Sequence, residues 1–263
     1  MKWTTLALTF LAFQGLAQAQ WADEDGFVDY GMTHQVITSG AAVPTSQSQI
    51  YYGTAHIRSK HAGGTGNCSG TVIAPTVILT AAHCFMVKPQ AQKMKVVIAG
   101  QTYGVSSYKS HSDFRYIPAA ESDTGRAQTE NDVALVFLKT KLPARSVPAL
   151  LPPADWTITG YVDGVLAGYG MTESKSLDTL GTLRWVETEV EEYDTLNLVV
   201  YGEQNFCQGD SGGPIFTKKG DRYTVIGVNS MANCSDTAVV VKVSEHVNWI
   251  HAEIARWNSQ RSI

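Results

Sequence analysis

Residues 209–214 read Gly-Asp-Ser-Gly-Gly-Pro, and far upstream residues 80–84 read Thr-Ala-Ala-His-Cys. Glycines on both sides of Ser211 permit a sharp turn that exposes the hydroxyl and leaves neighbouring backbone N–H groups able to face a substrate oxygen. A serine hydroxyl is a poor nucleophile until a base takes its proton, and His83 is the candidate base. The two stretches together predict nucleophilic catalysis by Ser211.

A third residue must hold the histidine in the tautomer that accepts the serine proton and must stabilise the resulting imidazolium, and a buried carboxylate does both. Residues 131–136 read Asn-Asp-Val-Ala-Leu-Val, so Asp132 stands at the head of an apolar strand. An acidic residue is costly there unless it has a partner. Asp before an apolar strand is also common turn chemistry. On physical grounds Asp132 is the best candidate carboxylate.

The first 19 residues have the three parts of a secretory signal peptide. Lys2 supplies a positive charge, residues 6–16 are mostly apolar, and Ala17-Gln18-Ala19 has the small-x-small form of a cleavage site. The apolar segment is too short to span a bilayer comfortably, and no later stretch is long and apolar enough to anchor the chain. We therefore expect a secreted, extracellular protein, cut before Gln20, without a membrane partner.

The charge of the chain bears on its binding partners, and its length bears on the number of domains. The 263 residues carry 20 Lys and Arg against 24 Asp and Glu, a formal net charge of −4. No cluster of basic residues suggests a nucleic acid or an anionic membrane as partner. The chain without its leader can bury a large core as one or two domains.

The four cysteines are Cys68, Cys84, Cys207 and Cys234. An even number suits two disulfides in an oxidising compartment, and the sequence alone allows three pairings. Zinc is the rival interpretation, but no Cys-x-x-Cys pair occurs and the cysteines are widely spread. We therefore expect no metal site.

Strand-like runs rich in Val, Ile, Tyr and Thr dominate the chain, punctuated by Gly, Pro, Asn and Asp. They lie at residues 50–57, 71–79, 95–99, 133–138, 161–167, 183–190, 196–201, 223–228 and 238–243. Residues 142–153 are proline-rich and predict a linker between two β halves. The polar stretch 109–130 predicts a surface loop. Near the end, Ser244 is a candidate cap for a helix whose apolar residues recur on one face.

The order His, Asp, Ser, carried by the blocks TAAHC, NDVAL and GDSGGP in a β-rich chain, closely resembles the chymotrypsin-like (trypsin-fold) serine proteases. The resemblance implies an all-β fold of two six-stranded antiparallel β-barrels with the site in their cleft and a C-terminal α-helix. It implies a peptidase domain at 36–263, with barrels at 36–145 and 146–243 and the helix at 244–260. It also implies the disulfides Cys68–Cys84 and Cys207–Cys234.

The same resemblance assigns catalytic roles. His83 is general base and then acid, Asp132 orients it, Ser211 attacks the scissile carbonyl, and the N–H groups of Gly209 and Ser211 form the oxyanion hole. The expected protein is a monomeric, secreted serine endopeptidase that works through an acyl-enzyme, needs no cofactor, and meets protein or peptide substrates and protein inhibitors. The alternative is a non-catalytic relative that keeps the fold as a binding module. Such proteins usually lose a member of the triad, and none is lost here.

Specificity by the same resemblance depends on Asn205, six residues before the serine. Cleavage after Arg or Lys needs a carboxylate there to pair with the substrate cation, and Asn supplies no charge, so we expect a P1 residue other than Arg or Lys. Glutamate specificity is a rival. Ser230 would support the catalytic Asp, with Met231 and Ala232 forming one wall of the pocket. Sliding the alignment by one residue would give the supporting role to Asn229.

Members of the family are commonly made as zymogens, in which a new N-terminal amine pairs with the Asp before the nucleophile, here Asp210. Residues 20–35 are then the expected propeptide. The start at residue 36 matches the family pattern poorly, and His34-Gln35 is not a basic activation site.

Overall fold

The computed structural model describes residues 41–44, 48–61, 63–172, 180–201, 206–232 and 237–261. The α-helices are α1 (Ser48–Gly53) and α2 (Val247–Gln260). The strands are β1 (Ala41–Ala42), β2 (Thr54–His61), β3 (Gly64–Ala74), β4 (Val77–Thr80), β5 (Met94–Ile98), β6 (Gln101–Ser110), β7 (Arg115–Ile117), β8 (Gln128–Glu130), β9 (Ala134–Leu138), β10 (Tyr161–Gly168), β11 (Arg184–Glu192), β12 (Asn197–Tyr201), β13 (Pro214–Lys219), β14 (Arg222–Ala232) and β15 (Thr237–Lys242).

Six antiparallel strands form the first barrel, which closes in the order β2-β3-β4-β9-β6-β5. Strand β5 shows how these strands fill the barrel, because its side chains alternate between the core and the solvent face. Met94, Val96 and Ile98 are at most 2% exposed, whereas Lys95 between them is exposed. Each such buried side chain contributes about 1.5–3 kcal/mol. The barrel interior is therefore a filled apolar core.

The second barrel contains β10 to β15 in the order β11-β10-β13-β14-β15-β12, and the pairing of β11 with β12 closes the ring. Strand β1 lies outside the ring, against β11. The core of this barrel contains the fully buried Leu166, Val190, Leu198 and Val240. The predicted fold of two six-stranded antiparallel barrels with a C-terminal helix is confirmed.

A shared apolar cluster joins the two barrels. It contains Leu79 and Leu135 from the first barrel, Val228 and Val241 from the second, and Ile250 from α2. All five side chains are at most 2% exposed. Because close-packed interiors resist deformation, this cluster fixes the loops of one barrel relative to those of the other.

Two strand predictions were wrong in detail. The run 50–57 is helix α1 up to Gly53 and strand only from Thr54, because Ile50 is fully buried in a satellite cluster and tertiary packing outweighs local propensity. The run 71–79 is two strands, β3 and β4, separated by a turn at Pro75, since proline cannot donate to the strand ladder.

Two further predictions need correction. Stretch 109–130 is not all loop, because it contains the hairpin of β7 and β8. Ser244 does not cap α2. It lies in a 3₁₀ turn, Val243–His246, and its hydroxyl donates to the carbonyl of Trp156 at 3.0 Å.

The predicted signal peptide, residues 1–19, and the predicted propeptide, residues 20–35, lie outside the described residues. Within the described part of the chain, neither helix has the length and apolarity that a membrane span needs.

Candidate active site

His83 and Asp132 meet at the rim of the first barrel. His83 begins a short 3₁₀ turn three residues after β4, and Asp132 lies two residues before β9, the strand that pairs with β4. His83 Nδ1 donates to Asp132 Oδ2 at 2.7 Å, and the backbone N–H of His83 donates to Oδ1 at 2.8 Å. The two bonds to one carboxylate set both the position and the ring orientation of the histidine.

The carboxyl of Asp132 is fully buried and ionised. Burial alone would raise its pKa, but the charge and hydrogen bonds of His83, with a hydrogen bond from Ser230, together hold the pKa below its ordinary value. Proton transfer to Asp132 is therefore unfavourable, and the carboxylate remains available to stabilise a protonated imidazole.

A chain of hydroxyls from the second barrel reaches Asp132. Ser230 Oγ donates to Asp132 Oδ2 at 2.5 Å, and Ser230 Oγ lies 2.7 Å from Thr129 Oγ1. Because the proton of Ser230 goes to the carboxylate, Thr129 is the donor in the second bond. Asn229 instead directs its side-chain amide to the carbonyl of Asp210 at 3.3 Å. The contact to Asp132 thus comes from Ser230 and not from Asn229.

Ser211 stands in a turn held by backbone hydrogen bonds. The N–H groups of Asp210, Gly212 and Gly213 donate to the carbonyls of Cys207, Asn229 and Asp210 at 2.7–2.9 Å. Gly209 and Gly212 have φ of +91° and +78°, which L-residues with a Cβ rarely adopt. The predicted glycine-dependent turn at Ser211 is present.

The turn packs against the disulfide beside His83. Cys68 and Cys84 are bonded, with an S–S distance of 1.97 Å, as the family resemblance implied. The sulfur of Cys84 lies 3.9 Å from the carbonyl oxygen of Ser211, and a ring nitrogen of His83 lies within 4.8 Å of the same sulfur. Ser211, His83 and Asp132 therefore lie close to one disulfide at the junction of the two barrels.

The disulfide also bears on metal binding. In the part of the chain that the structure describes, Cys68, His83 and Cys84 are grouped closely enough to hold an ion. Because the two sulfurs are bonded to each other, they cannot act as thiolate ligands.

Asp210, the residue before Ser211, is fully buried. Its Oδ1 accepts from the N–H of Gly170 at 2.8 Å, and its Oδ2 accepts from the N–H of Cys207 at 3.2 Å. Burial raises its pKa to about 7, although these two bonds and the charge of Arg184 oppose the rise. The carboxyl is poised to ionise fully once a cation comes near.

The predicted specificity residues are only partly described. Asn205 and Cys234 lie outside the described residues, so the pocket-base interpretation and the Cys207–Cys234 pairing stay predictions. Met231 is half-buried on β14. Ala232 is 6% exposed and its side chain packs into the core of the second barrel.

Sequence reasoning missed two residues of the site, Thr129 and Ser69. Thr129 lies in the stretch predicted as loop, and Ser69 follows a cysteine in a run of small residues. Both hydroxyls act across the junction between the barrels, on partners about 100 or more positions away in the sequence. No local pattern marks them.

Comparison with known proteins agrees with this architecture. The family model described as Trypsin matches residues 39–250. The chain is 29% identical over 223 residues to tissue-type plasminogen activator of Pongo abelii, which covers 70% of this chain and 38% of that protein. The chain thus spans less than half the length of this curated relative. Since the family match covers most of the chain and the two barrels are in place, this chain belongs to the trypsin family of serine endopeptidases.

Proposed function

We propose that the chain is a secreted endopeptidase that hydrolyses peptide bonds through His83, Asp132 and Ser211. The observation that carries the proposal is the pair of hydrogen bonds from His83 to the buried, ionised Asp132. The carbonyl oxygen of Ser211 lies 3.9 Å from the sulfur of Cys84, the residue after His83. A structural histidine needs no such partner, whereas a base that becomes a cation during each cycle does.

The reaction proceeds in two halves. Ser211 Oγ attacks the scissile carbonyl carbon while its proton passes to His83 Nε2, and the carbonyl electrons move onto the oxygen. The tetrahedral intermediate then expels the amine, which takes the proton from His83 and leaves an acyl-enzyme. Water, deprotonated by His83, then attacks the acyl carbonyl carbon. The second tetrahedral intermediate breaks the bond to Ser211 Oγ, which takes the proton back from His83, and the carboxylic acid product leaves.

The oxyanion of each intermediate is bound by the N–H groups of Gly209 and Ser211. This assignment is supported by the hydrogen bonds of the turn, in which the amides of Asp210, Gly212 and Gly213 are already committed to carbonyls. Preorganised donors of this kind are worth several kcal/mol in the transition state.

Synthesis as a zymogen is part of the proposal. A new amino terminus at or near residue 36, freed by removal of residues 20–35, would place a cation beside Asp210. The support is the raised pKa of the buried Asp210, because a carboxyl in this state gains most from a cationic partner.

The P1 residue is proposed to be neutral. Asn205 supplies no carboxylate for a substrate Arg or Lys. A panel of peptides varied only at the residue before the cut tests this proposal, and cleavage mainly after Arg or Lys contradicts it.

Covalent labelling by a fluorophosphonate tests the catalytic proposal. The N-terminally processed, secreted protein should label on Ser211, with labelling lost in Ser211→Ala and reduced by several orders of magnitude in His83→Ala. His251→Ala, on the exposed face of α2, is the matched control and should label at the wild-type rate. A folded protein that binds peptides without being labelled is the non-catalytic binding module instead.

A further inference from the structure

Ser69 connects the two barrels at the nucleophile. It lies on β3 and is fully buried. Its backbone N–H donates to the carbonyl of Ser211 at 2.7 Å, and its hydroxyl donates to the carbonyl of Gly209 at 2.8 Å. The same hydroxyl accepts from the N–H of Tyr169 at 2.9 Å.

The directions of these bonds are unambiguous. A backbone carbonyl only accepts and a backbone N–H only donates, so the single proton of the hydroxyl goes to Gly209 and its lone pair faces Tyr169. One residue of the first barrel thus holds the two residues whose N–H groups face the proposed oxyanion, and ties them to the end of β10.

Each of the two peptide groups that follow these donors is held at both ends. The Gly209–Asp210 peptide is bonded through its oxygen to Ser69 and through its nitrogen to the carbonyl of Cys207. The Ser211–Gly212 peptide is bonded through its oxygen to Ser69 and through its nitrogen to the carbonyl of Asn229. In each case Ser69 supplies the bond from the first barrel.

The turn needs such external restraint because glycine itself provides little. Gly209 and Gly212 both have positive φ, and glycine visits many other conformations at small cost. Without the bonds from Ser69, the peptide groups between Gly209 and Gly212 could adopt other orientations at little energetic cost.

We propose that Ser69 is a positioning residue that holds the oxyanion donors of Gly209 and Ser211 in their catalytic orientation. The inference rests on the proposed proteolytic function. Ser69 does not touch the reacting atoms, and it acts through the two peptides that it restrains.

The test compares Ser69→Ala with wild type in peptide hydrolysis by the processed enzyme. The methyl group leaves the Gly209 carbonyl and the Tyr169 N–H unpaired, so the turn loses its restraint at Gly209 and keeps only the backbone bond from residue 69 to Ser211. We expect kcat to fall about 10- to 100-fold, as for misplaced catalytic groups, with KM changed less than about threefold. Affinity for a substrate-like peptide aldehyde, which forms a tetrahedral adduct, should fall in parallel with kcat.

The matched control is Ser244→Ala. Ser244 is also a buried serine that donates to a backbone carbonyl, but its partner is Trp156, which is not part of the turn around Ser211. Its loss should lower stability without lowering kcat. A Ser69→Ala enzyme whose kcat lies within about threefold of Ser244→Ala overturns the inference.

Ser69→Gly provides a second variant if alanine prevents folding. It keeps the backbone bond to Ser211 and leaves room for a water to bridge Gly209 and Tyr169. Its kcat should therefore lie between the values of wild type and Ser69→Ala. If Ser69→Ala does not fold, Ser69→Gly should still have a measurable kcat that is lower than that of wild type. A folded Ser69→Gly enzyme with wild-type kcat and aldehyde affinity also overturns the inference. An unlabelled wild type contradicts the proposed function itself, whereas an active wild type with equally active Ser69 variants contradicts only the role of Ser69.

Discussion

Replacing Gly212 with alanine should separate the geometry of the nucleophile turn from its chemistry. Gly212 has φ of +78°, and a Cβ there would lie 2.0 Å from Thr80 Oγ1, 2.6 Å from the carbonyl oxygen of Ser69 and 2.8 Å from the backbone nitrogen of Ala81. Two of these three atoms are backbone, in or next to strands of the first barrel. They cannot move away as a flexible side chain can.

The expected loss of stability has two parts. A left-handed conformation costs a non-glycine residue roughly 1–2 kcal/mol. Overpacking of a filled interior costs typically about 1–3 kcal/mol more. Gly212→Ala should therefore lower the free energy of unfolding by about 2–5 kcal/mol.

Gly220→Ala is the matched control, because Gly220 has φ of +61° and nothing within 4 Å of a Cβ. It should lose only the conformational part, about 1–2 kcal/mol. Both variants are compared in a Ser211→Ala background, which prevents self-digestion, by urea unfolding followed through tryptophan fluorescence. With Ser211 intact, Gly212→Ala should also lose most fluorophosphonate labelling, since the clash displaces the nucleophile. Equal losses of stability in the two variants, together with wild-type labelling of Gly212→Ala, would refute this reasoning.

Three further outcomes are expected. Burial lowers the pKa of His56 to about 4, so the folded protein resists protonation of this imidazole and loses stability as the pH falls from 6.5 to 4. Urea unfolding at pH 7 and pH 4 should show that His56→Gln loses about 3 kcal/mol less stability than wild type over this range. Identical losses in the two proteins would contradict this prediction. The raised pKa of Asp210 has the opposite effect, because stability is lost as the pH rises from 3.8 through about 7. Between pH 4 and pH 8 the unprocessed parent should therefore lose about 4 kcal/mol more free energy of unfolding than Asp210→Asn. A constant difference between the two proteins would show that Asp210 is already paired. Replacing Cys68 and Cys84 together by alanine removes a crosslink between residues 16 positions apart and should cost about 3 kcal/mol in thermal unfolding, whereas an unchanged melting temperature would show that the barrel does not need it.

The blocks around His83, Asp132 and Ser211 were recognisable because their chemistry needs particular residue types in short, local arrangements. Glycines next to a nucleophile and an acid before an apolar strand can be identified without knowledge of the fold. Most of the strands were predictable for a similar reason, since strand-like composition and period-two alternation, as in β5, are local properties of each strand. Their closure into two barrels was predicted only through the family resemblance.

Helix α1 and the choice between Asn229 and Ser230 were not predictable from such patterns. Ile50 belongs to a strand-like run, but its burial against other segments makes the chain helical there. A shift of one residue along β14 reverses which side chain faces the first barrel, and β14 has an irregular register between Asn229 and Met231. Only the packed sheet decides which of the two neighbours reaches Asp132.

By itself, therefore, the sequence determined the strand-rich pattern and the three residues proposed to carry the chemistry, because these depend on residue type and local spacing. The family and the two-barrel architecture followed from the resemblance of three short blocks to the chymotrypsin-like proteases. Tertiary structure alone decided that Ser230 and not Asn229 supports Asp132, and it alone supplied the hydrogen bonds of Thr129 and Ser69 and the burial that shifts the pKa of Asp210. These are contacts between segments about 100 or more residues apart, or effects of complete removal from water, and neither has a local signature in the chain.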